Sequence, residues 1–180
     1  RILGRAPRTA ILPPMLALAE QIPRQTFDVT GPHLVMATIS AVAVVVSVLI
    51  HYEAMAFTIR VLPRTALSRR MRIVALILVM LVAHVVEIWM FGFLYWLLHA
   101  WPELGSISGS FSEGALDYIY FSVITFTTVG YGDYIPHGPV TILCGTEALV
   151  GISFLAWTAS VTFLEMQRDW VEEPDSAPPS

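Results

Sequence analysis

The chain has 180 residues, of which 56% are hydrophobic and only 13% are charged, and this composition argues against a soluble domain. The formal net charge is −4, all basic residues are arginines, and few of them fall inside the long apolar runs, so a nucleic-acid surface is not expected. A lone cysteine, Cys144, excludes an internal disulfide and a cysteine cluster for zinc.

The first predicted elements are an interfacial segment and a membrane span. Residues 1–33 contain Pro13, Pro14 and four arginines, and we expect them to lie at the extracytoplasmic membrane surface. Residues 34–59 are long enough to cross a bilayer, which takes about 20 apolar residues. A voltage sensor carries arginines at regular helical spacing, and this span has none, so we interpret it as an extra transmembrane helix.

The orientation follows from the arginines of residues 60–72. This short link contains a dense basic cluster: Arg60, Arg64, Arg69, Arg70 and Arg72. Basic links usually stay in the cytoplasm, which places residues 1–33 and the loop between the second and third spans outside. The four arginines of residues 1–33 count against this assignment.

A second span is predicted at residues 73–99, with His84 and Glu87 near its middle. Their three-residue spacing puts both on one helix face. Ionisable groups are costly inside a bilayer, so they should face protein and pair with each other or with a group of the following helix. One hypothesis is a structural pair that fixes how this span docks, and the other is a proton switch that biases gating. Both remain open.

The next segment is too short to cross the membrane. After a loop at residues 100–114, which is Gly/Ser-rich from Leu104 to Gly114, residues 115–127 are apolar and aromatic but only about half the required length. A re-entrant helix fits, because exposed backbone at this depth is tolerated where protein or a water-filled cavity covers it. Its carboxyl end would point a partial negative charge at the membrane centre. If a pore lies here, its outer entrance should be acidic because of Glu113, Asp117 and Asp133.

Residues 125–133 read TFTTVGYGD and carry the main chemical signal. A cation that enters a narrow pore loses its water, and backbone carbonyls can replace that oxygen shell if they all point at one axis. An ordinary strand turns successive carbonyls to opposite sides. Glycine at alternate positions, Gly130 and Gly132, permits the unusual backbone angles that solve this problem. Thr128 adds a hydroxyl oxygen.

This segment resembles the filter of tetrameric potassium channel pores, whose signature is TxxTxGYG. The resemblance extends from about residue 72 to 165. It implies K⁺ sites formed by the carbonyls of Thr128, Val129, Gly130 and Tyr131, with Gly132 completing the filter, when four copies meet on one axis. It also implies that Tyr120 and Phe121 of the pore helix pack around the filter tyrosine, and that Asp133 supports the outer mouth.

The inner helix of this pore is predicted at residues 138–165, followed by an acidic tail at 166–180. Glu147 is expected to accept hydrogen bonds from backbone that flanks the filter. Gly151 is either a gating hinge or a close-packing position. Phe163 is a candidate hydrophobic constriction, on a proposed cavity-lining face. That face comprises Ile152, Leu155, Ala159 and Phe163.

Together these features predict an all-α membrane protein with three transmembrane helices, a re-entrant pore helix and a selectivity filter. We expect a homotetramer in lipid around a central pore, with residues 73–165 as the pore domain. The predicted function is passive, K⁺-selective conduction without a cofactor, in a multi-pass protein of a plasma membrane, expected to be prokaryotic. Alternatives are a weakly selective cation channel or potassium-uptake subunit, and a non-conducting sensor or scaffold. No catalytic constellation is recognisable, so an enzyme is not expected.

Overall fold

The structure, a computed structural model, describes residues 31–110 and 114–171, with side chains up to Arg168. The segment predicted to be interfacial at residues 1–30, the candidate entrance acid Glu113, and tail residues 172–180 lie outside the described part. The elements are α1 (Gly31–Val61), α2 (Arg69–Leu98), β1 (Ser106–Gly109), α3 (Ala115–Phe126), β2 (Tyr134–His137) and α4 (Val140–Val171), with 3₁₀ turns at Leu62–Arg64 and Pro102–Leu104.

Three of the helices are long and apolar enough to cross a membrane. The qualifying stretches are Gly31–Arg64, Arg69–Leu98 and Val140–Arg168, while α3 is a shorter apolar helix. Several bounds differ from the sequence prediction: α1 begins at Gly31 rather than Leu34, α2 begins at Arg69 rather than Ile73, and α4 continues to Val171, into the predicted tail. The α1 helix gives way to a 3₁₀ turn at Pro63, which has no N–H to continue the helical hydrogen-bonding pattern.

Helix α1 packs against both α2 and α4. Its buried residues recur every three or four positions and so form one stripe: Met36, Ser40, Ala43, Ser47, His51, Met55 and Thr58. Small side chains in the middle of this stripe let the helix backbones approach closely. The first span therefore contacts the predicted inner helix as well as the second span.

The short helix α3 is enclosed by α2 and α4. At Gly92 of α2, an added Cβ would lie 2.8 Å from the Cα of Ile119, so glycine permits the contact between α2 and α3. The core around α3 includes the fully buried rings of Phe91 and Tyr95 from α2 and the buried Phe121 and Phe126 from α3 itself. This packing fixes the position of α3 against α2 and α4, and thereby the position of the segment that follows it.

The two strands form a small antiparallel sheet that the sequence analysis did not predict. Ser106 pairs with His137, and Gly109 pairs with Tyr134. Gly109 has a φ of +124°, and a Cβ at this position would lie 1.9 Å from the carbonyl oxygen of Asp133. The Gly/Ser-rich stretch is therefore partly an ordered strand, held against the end of the 128–133 segment.

Candidate functional site

The backbone of residues 128–133 has the alternation that the sequence predicts. Positive φ angles occur at Thr128 (59°), Gly130 (49°) and Gly132 (83°), one at every second position. The glycines were expected there, whereas the positive φ of Thr128 was not. A residue with a side chain is strained in this region by about 1 to 3 kcal/mol, so surrounding contacts must hold it.

Hydrogen bonds tie this segment to the carboxyl end of α3. The Thr128 N–H donates to the Thr125 carbonyl over 3.0 Å, and the Gly130 N–H donates to the Ile124 carbonyl over 3.1 Å. Carbonyl groups in the last turn of α3, which have no partner within the helix, thus accept hydrogen bonds from the predicted filter backbone. The negative end of the helix dipole therefore lies beside that backbone.

Side chains of the predicted filter segment are exposed in a single chain. Val129 is 50% exposed and Tyr131 is 72% exposed. A Cβ added at Gly130 or Gly132 would meet nothing within 4 Å. Glycine is therefore required at these two positions for backbone conformation and not for space inside the chain.

Two aromatic residues of α3 have different surroundings. The Tyr120 hydroxyl donates to Asp133 Oδ2 over 3.1 Å at the outer end of the filter. The Phe121 ring is buried, 5.0 Å from the ring of Tyr95 and 6.4 Å from that of Tyr134. Asp133 is thus held by α3, and its role in filter support stays a prediction. The packing of these rings around the filter tyrosine stays a prediction.

Acidic side chains lie at two places near the predicted pore entrance: Asp117 in the first turn of α3, and Asp133 at the end of the 128–133 segment. At the start of α3, the Gly114 N–H donates to Asp117 Oδ2 over 3.3 Å, which places a carboxylate at the positive end of the helix dipole. Burial, and then the nearby Asp117 and Asp133 carboxylates, raise the pKa of Tyr134 above its usual value. Tyr134 therefore remains a neutral hydrogen-bond donor at physiological pH, and its hydroxyl donates to the Ser110 carbonyl over 3.3 Å.

Glu147 is fully buried, and its hydrogen-bond donors differ from those expected. The Tyr95 hydroxyl donates to Glu147 Oε2 over 2.6 Å. Ser122 Oγ contacts Glu147 Oε1 and also lies 2.8 Å from the Ile88 carbonyl. The predicted donors from filter-flanking backbone are thus wrong: side-chain hydroxyls of α2 and α3 take this part. The sequence analysis missed Tyr95 and Ser122, since single hydroxyls in apolar helices carry no pattern.

Gly151 is a close-packing position in this structure. A Cβ there would lie 2.0 Å from the carbonyl oxygen of Phe126, the last residue of α3. Of the two alternatives from the sequence, the geometry supports packing, and a hinge role stays a prediction. Phe163 is 54% exposed. With Leu155 and Ala159 it lines an apolar groove of about 420 Å³ between α4 and α2, which Ile152 does not line. Its role as a constriction stays a prediction.

His84 and Glu87 do form a pair, but they have a partner that the sequence analysis did not assign to them. His84 Nδ1 lies 3.2 Å from Glu87 Oε2, and His51 Nδ1 of α1 lies 3.0 Å from Glu87 Oε1. Of the two predicted alternatives, the pairing of these residues with each other is the one observed, and a histidine of the first span joins them. The sequence did contain a signal for this contact. His51 is an ionisable residue inside a predicted span, and such a group needs a buried partner.

Comparison with known proteins now identifies the family. A sequence model described as "Ion channel" matches residues 77–168, which is just over half of the chain and includes most of α2, all of α3, the 128–133 segment and most of α4. The chain belongs to this ion channel family. The predicted fold class, an all-α protein that crosses the membrane several times, is therefore confirmed, and so is the expectation that the protein is not an enzyme.

Two curated relatives come from rice, Oryza sativa subsp. japonica. "Two pore potassium channel a" is 43% identical over 70 residues, and "Two pore potassium channel b" is 35% identical over 72 residues. Each match covers 39% of this chain and 19% of the relative. The chain thus aligns with about a fifth of the length of either protein. These plant relatives give no support to the expected prokaryotic membrane. No solved structure matches.

Proposed function

We propose that this ion channel conducts K⁺ selectively and passively through a filter formed by residues 128–132. The observation that carries the proposal is the alternating positive φ of Thr128, Gly130 and Gly132. Such alternation turns successive carbonyls of Thr128, Val129, Gly130 and Tyr131 toward one side, where they can replace the hydration shell of a cation. The names of the two rice relatives support the choice of potassium.

The same geometry supports a homotetramer. One chain supplies one filter strand with exposed Val129 and Tyr131. Non-helical backbone at membrane depth must be covered by protein or face water. Four copies around one axis would bring four filter strands together to face a shared pore, with the carboxyl ends of four α3 helices directed at it. In this assembly Asp133 and Asp117 would provide acidic rings that concentrate cations at the entrance.

Flux measurement in liposomes tests this function directly. Purified protein reconstituted into K⁺-loaded liposomes should release K⁺ much faster than Na⁺, and barium should block the release. Gly130→Ala should abolish K⁺ flux, since an alanine at a φ of 49° forces the carbonyls out of alignment.

Gly145→Ala is the matched control, because that glycine lies in α4 with nothing within 4 Å of an added Cβ. It should retain K⁺ flux. Equal K⁺ and Na⁺ flux without barium block would favour the weakly selective alternative. A folded protein without flux under any condition would favour the sensor or scaffold.

The membrane of residence is a separate expectation. A plasma membrane remains a prediction for this multi-pass protein, and the conduction experiment is independent of it.

A further inference from the structure

Three ionisable side chains from two helices meet inside the membrane-spanning part of the protein. His51 of α1 and Glu87 of α2 are fully buried, and His84 of α2 is 7% exposed. One ligand atom from each of the three residues can be chosen so that all lie within 4.8 Å of one another. Within the described part of the chain, the hydrogen bonds of these side chains join them to one another and to Thr158 rather than to residues 128–133, so the proposed conduction mechanism leaves the cluster unexplained.

We propose that His51, His84 and Glu87 bind a divalent transition-metal cation, of which Zn²⁺ is the best candidate. Two imidazoles and one carboxylate form a ligand set typical of Zn²⁺ sites with one remaining open position. Bonds of about 2.0 to 2.1 Å to a tetrahedral cation place neighbouring ligand atoms roughly 3.3 Å apart. Each Nδ1 atom lies close to this spacing from one oxygen of the Glu87 carboxylate: His51 Nδ1 is 3.0 Å from Oε1, and His84 Nδ1 is 3.2 Å from Oε2.

Thr158 of α4 supplies the orienting contacts that such a site needs. Its Oγ1 lies 3.4 Å from Nε2 of His51 and 3.3 Å from Nε2 of His84. When each Nδ1 binds a cation, each Nε2 carries the proton and can donate to this one hydroxyl oxygen, which has two lone pairs. Metal-bound histidines usually make this type of second contact, which fixes the ring orientation.

Without a bound cation or an additional proton, the hydrogen bonds of the cluster do not balance. If both histidines are neutral and donate from Nδ1 to Glu87, both Nε2 atoms are acceptors that face Thr158, whose hydroxyl has only one proton. The ionised carboxylate also leaves a buried negative charge. A divalent cation corrects both faults through a change of imidazole tautomer. One additional proton, shared by the histidines, would also balance the hydrogen bonds, and a Zn²⁺ titration distinguishes the two cases.

The surroundings suit an enclosed site with one opening. The His51 ring stacks on Phe154 at 4.3 Å and lies 5.3 Å from Trp157, so aromatic rings of α4 cover one side. The groove between α2 and α4 has His84 and Thr158 in its wall, and this provides access from outside the chain. A bound cation would therefore connect α1 to α2 directly and to the inner helix through Thr158.

Metal binding by the purified protein tests the site without depending on conduction. The protein in detergent is first treated with a chelator and then titrated with Zn²⁺ while heat release and thermal unfolding are measured. We expect one Zn²⁺ per chain and a higher unfolding temperature with Zn²⁺. Co²⁺ in place of Zn²⁺ should give the visible absorption of a low-coordinate nitrogen and oxygen site.

Variants locate the site. His51→Gln, His84→Gln and Glu87→Gln should each weaken Zn²⁺ binding at least 100-fold, whereas His99→Gln, at an exposed histidine at the end of α2, should not. Thr158→Val should weaken it by about 10- to 100-fold, as loss of an orienting contact does. Thr162→Val is the matched control, because that hydroxyl donates only to the Thr158 backbone carbonyl of its own helix over 2.8 Å.

The proposal is overturned if the folded parent binds no Zn²⁺, which is the result expected when a proton balances the cluster. It is also overturned if Thr158→Val and Thr162→Val bind equally, or if the cluster variants keep the parent affinity. Should the histidine variants fail to fold, the two threonine variants still decide, since neither changes a ligand. Loss of K⁺ flux alone leaves these binding results intact.

Discussion

At the scale of single residues, the requirement for glycine has two distinct causes in this protein. Gly130 and Gly132 have positive φ and open space around them, so they are required for backbone conformation. Gly151 lies in the regular helix α4 and is required because the Phe126 carbonyl lies too close for any side chain. The same residue type thus serves the filter in one case and helix packing in the other.

Gly151→Ala should destabilise the protein by about 1 to 3 kcal/mol, because the added methyl must push α4 away from the end of α3. Gly145→Ala, on the same helix but with open space, should leave stability unchanged or raise it by up to about 1 kcal/mol through helix propensity. Thermal unfolding in detergent compares the two. Equal stability of the two variants would contradict the close contact and return Gly151 to the hinge hypothesis.

At the scale of helices, buried polar contacts and small residues decide how the spans dock. Tyr95 on α2, Ser122 on α3 and Glu147 on α4 form one network, so the pore helix is joined to both of its neighbours. Helix α1 docks differently, through a stripe whose middle positions, Ser40, Ala43 and Ser47, are small. Within the described chain, Ser40 Oγ and Ser47 Oγ have no hydrogen-bond partner, so these serines contribute to helix docking through their small size.

Removal of the donors of Glu147 should weaken the pore domain. Tyr95→Phe and Ser122→Ala should each lower stability by about 1 to 3 kcal/mol, since a buried carboxyl group loses a hydrogen bond. Thr146→Val is the control, because that hydroxyl donates to the Ile142 carbonyl within its own helix. Thermal unfolding and K⁺ selectivity are measured together. If Glu147→Gln makes the effect of Tyr95→Phe disappear, the two side chains are coupled, and additive losses would show that they are not.

The docking of α1 can be tested at Ser47, which is fully buried. Ser47→Ala should be tolerated, because it keeps the side chain small and removes an unpartnered hydroxyl. Ser47→Leu should destabilise by about 1 to 3 kcal/mol through overpacking. The filter should keep its selectivity in both, since α1 packs on α2 and α4. Altered K⁺ over Na⁺ flux in Ser47→Ala would contradict this separation.

At the scale of the whole molecule, the proposed K⁺ pore needs more than one chain. Its filter side chains are exposed, and large apolar side chains cover much of the outside of α1 and α2. Lipid can cover apolar side chains, but it cannot satisfy the unpaired carbonyls of a filter strand. The physical requirement for more copies therefore arises at residues 128–132 rather than along the helices.

The assembly should contain four chains. Mass measurement of the detergent-solubilised protein, with the detergent contribution subtracted, should give about four times the 19.9 kDa of one chain. Gly130→Ala should assemble equally well, because its defect lies in the filter conformation. A monomer or dimer that still conducts K⁺ would contradict the fourfold assembly.

The sequence alone determined the spans, the short apolar helix and the positive φ of two filter glycines, because each depends on a local property. Length and hydropathy define α1, α2 and α4, and the alternate glycines predict the angles of Gly130 and Gly132, though not that of Thr128. The proposed filter likewise needed no long-range information, since its proposed ligands are backbone atoms of consecutive residues. Helix α3 followed from being apolar yet too short to cross.

Only the tertiary structure decided which residues of different helices meet. His51 and Glu87 are 36 positions apart in the sequence, and Tyr95 and Glu147 are 52 apart. In a soluble helix the apolar stripe shows which side faces the core, but a membrane span is apolar on its lipid side as well. The rotation of each span about its axis is therefore hidden in the sequence. That rotation brings His51 to Glu87, Tyr95 to Glu147, and Gly151 to the end of the pore helix.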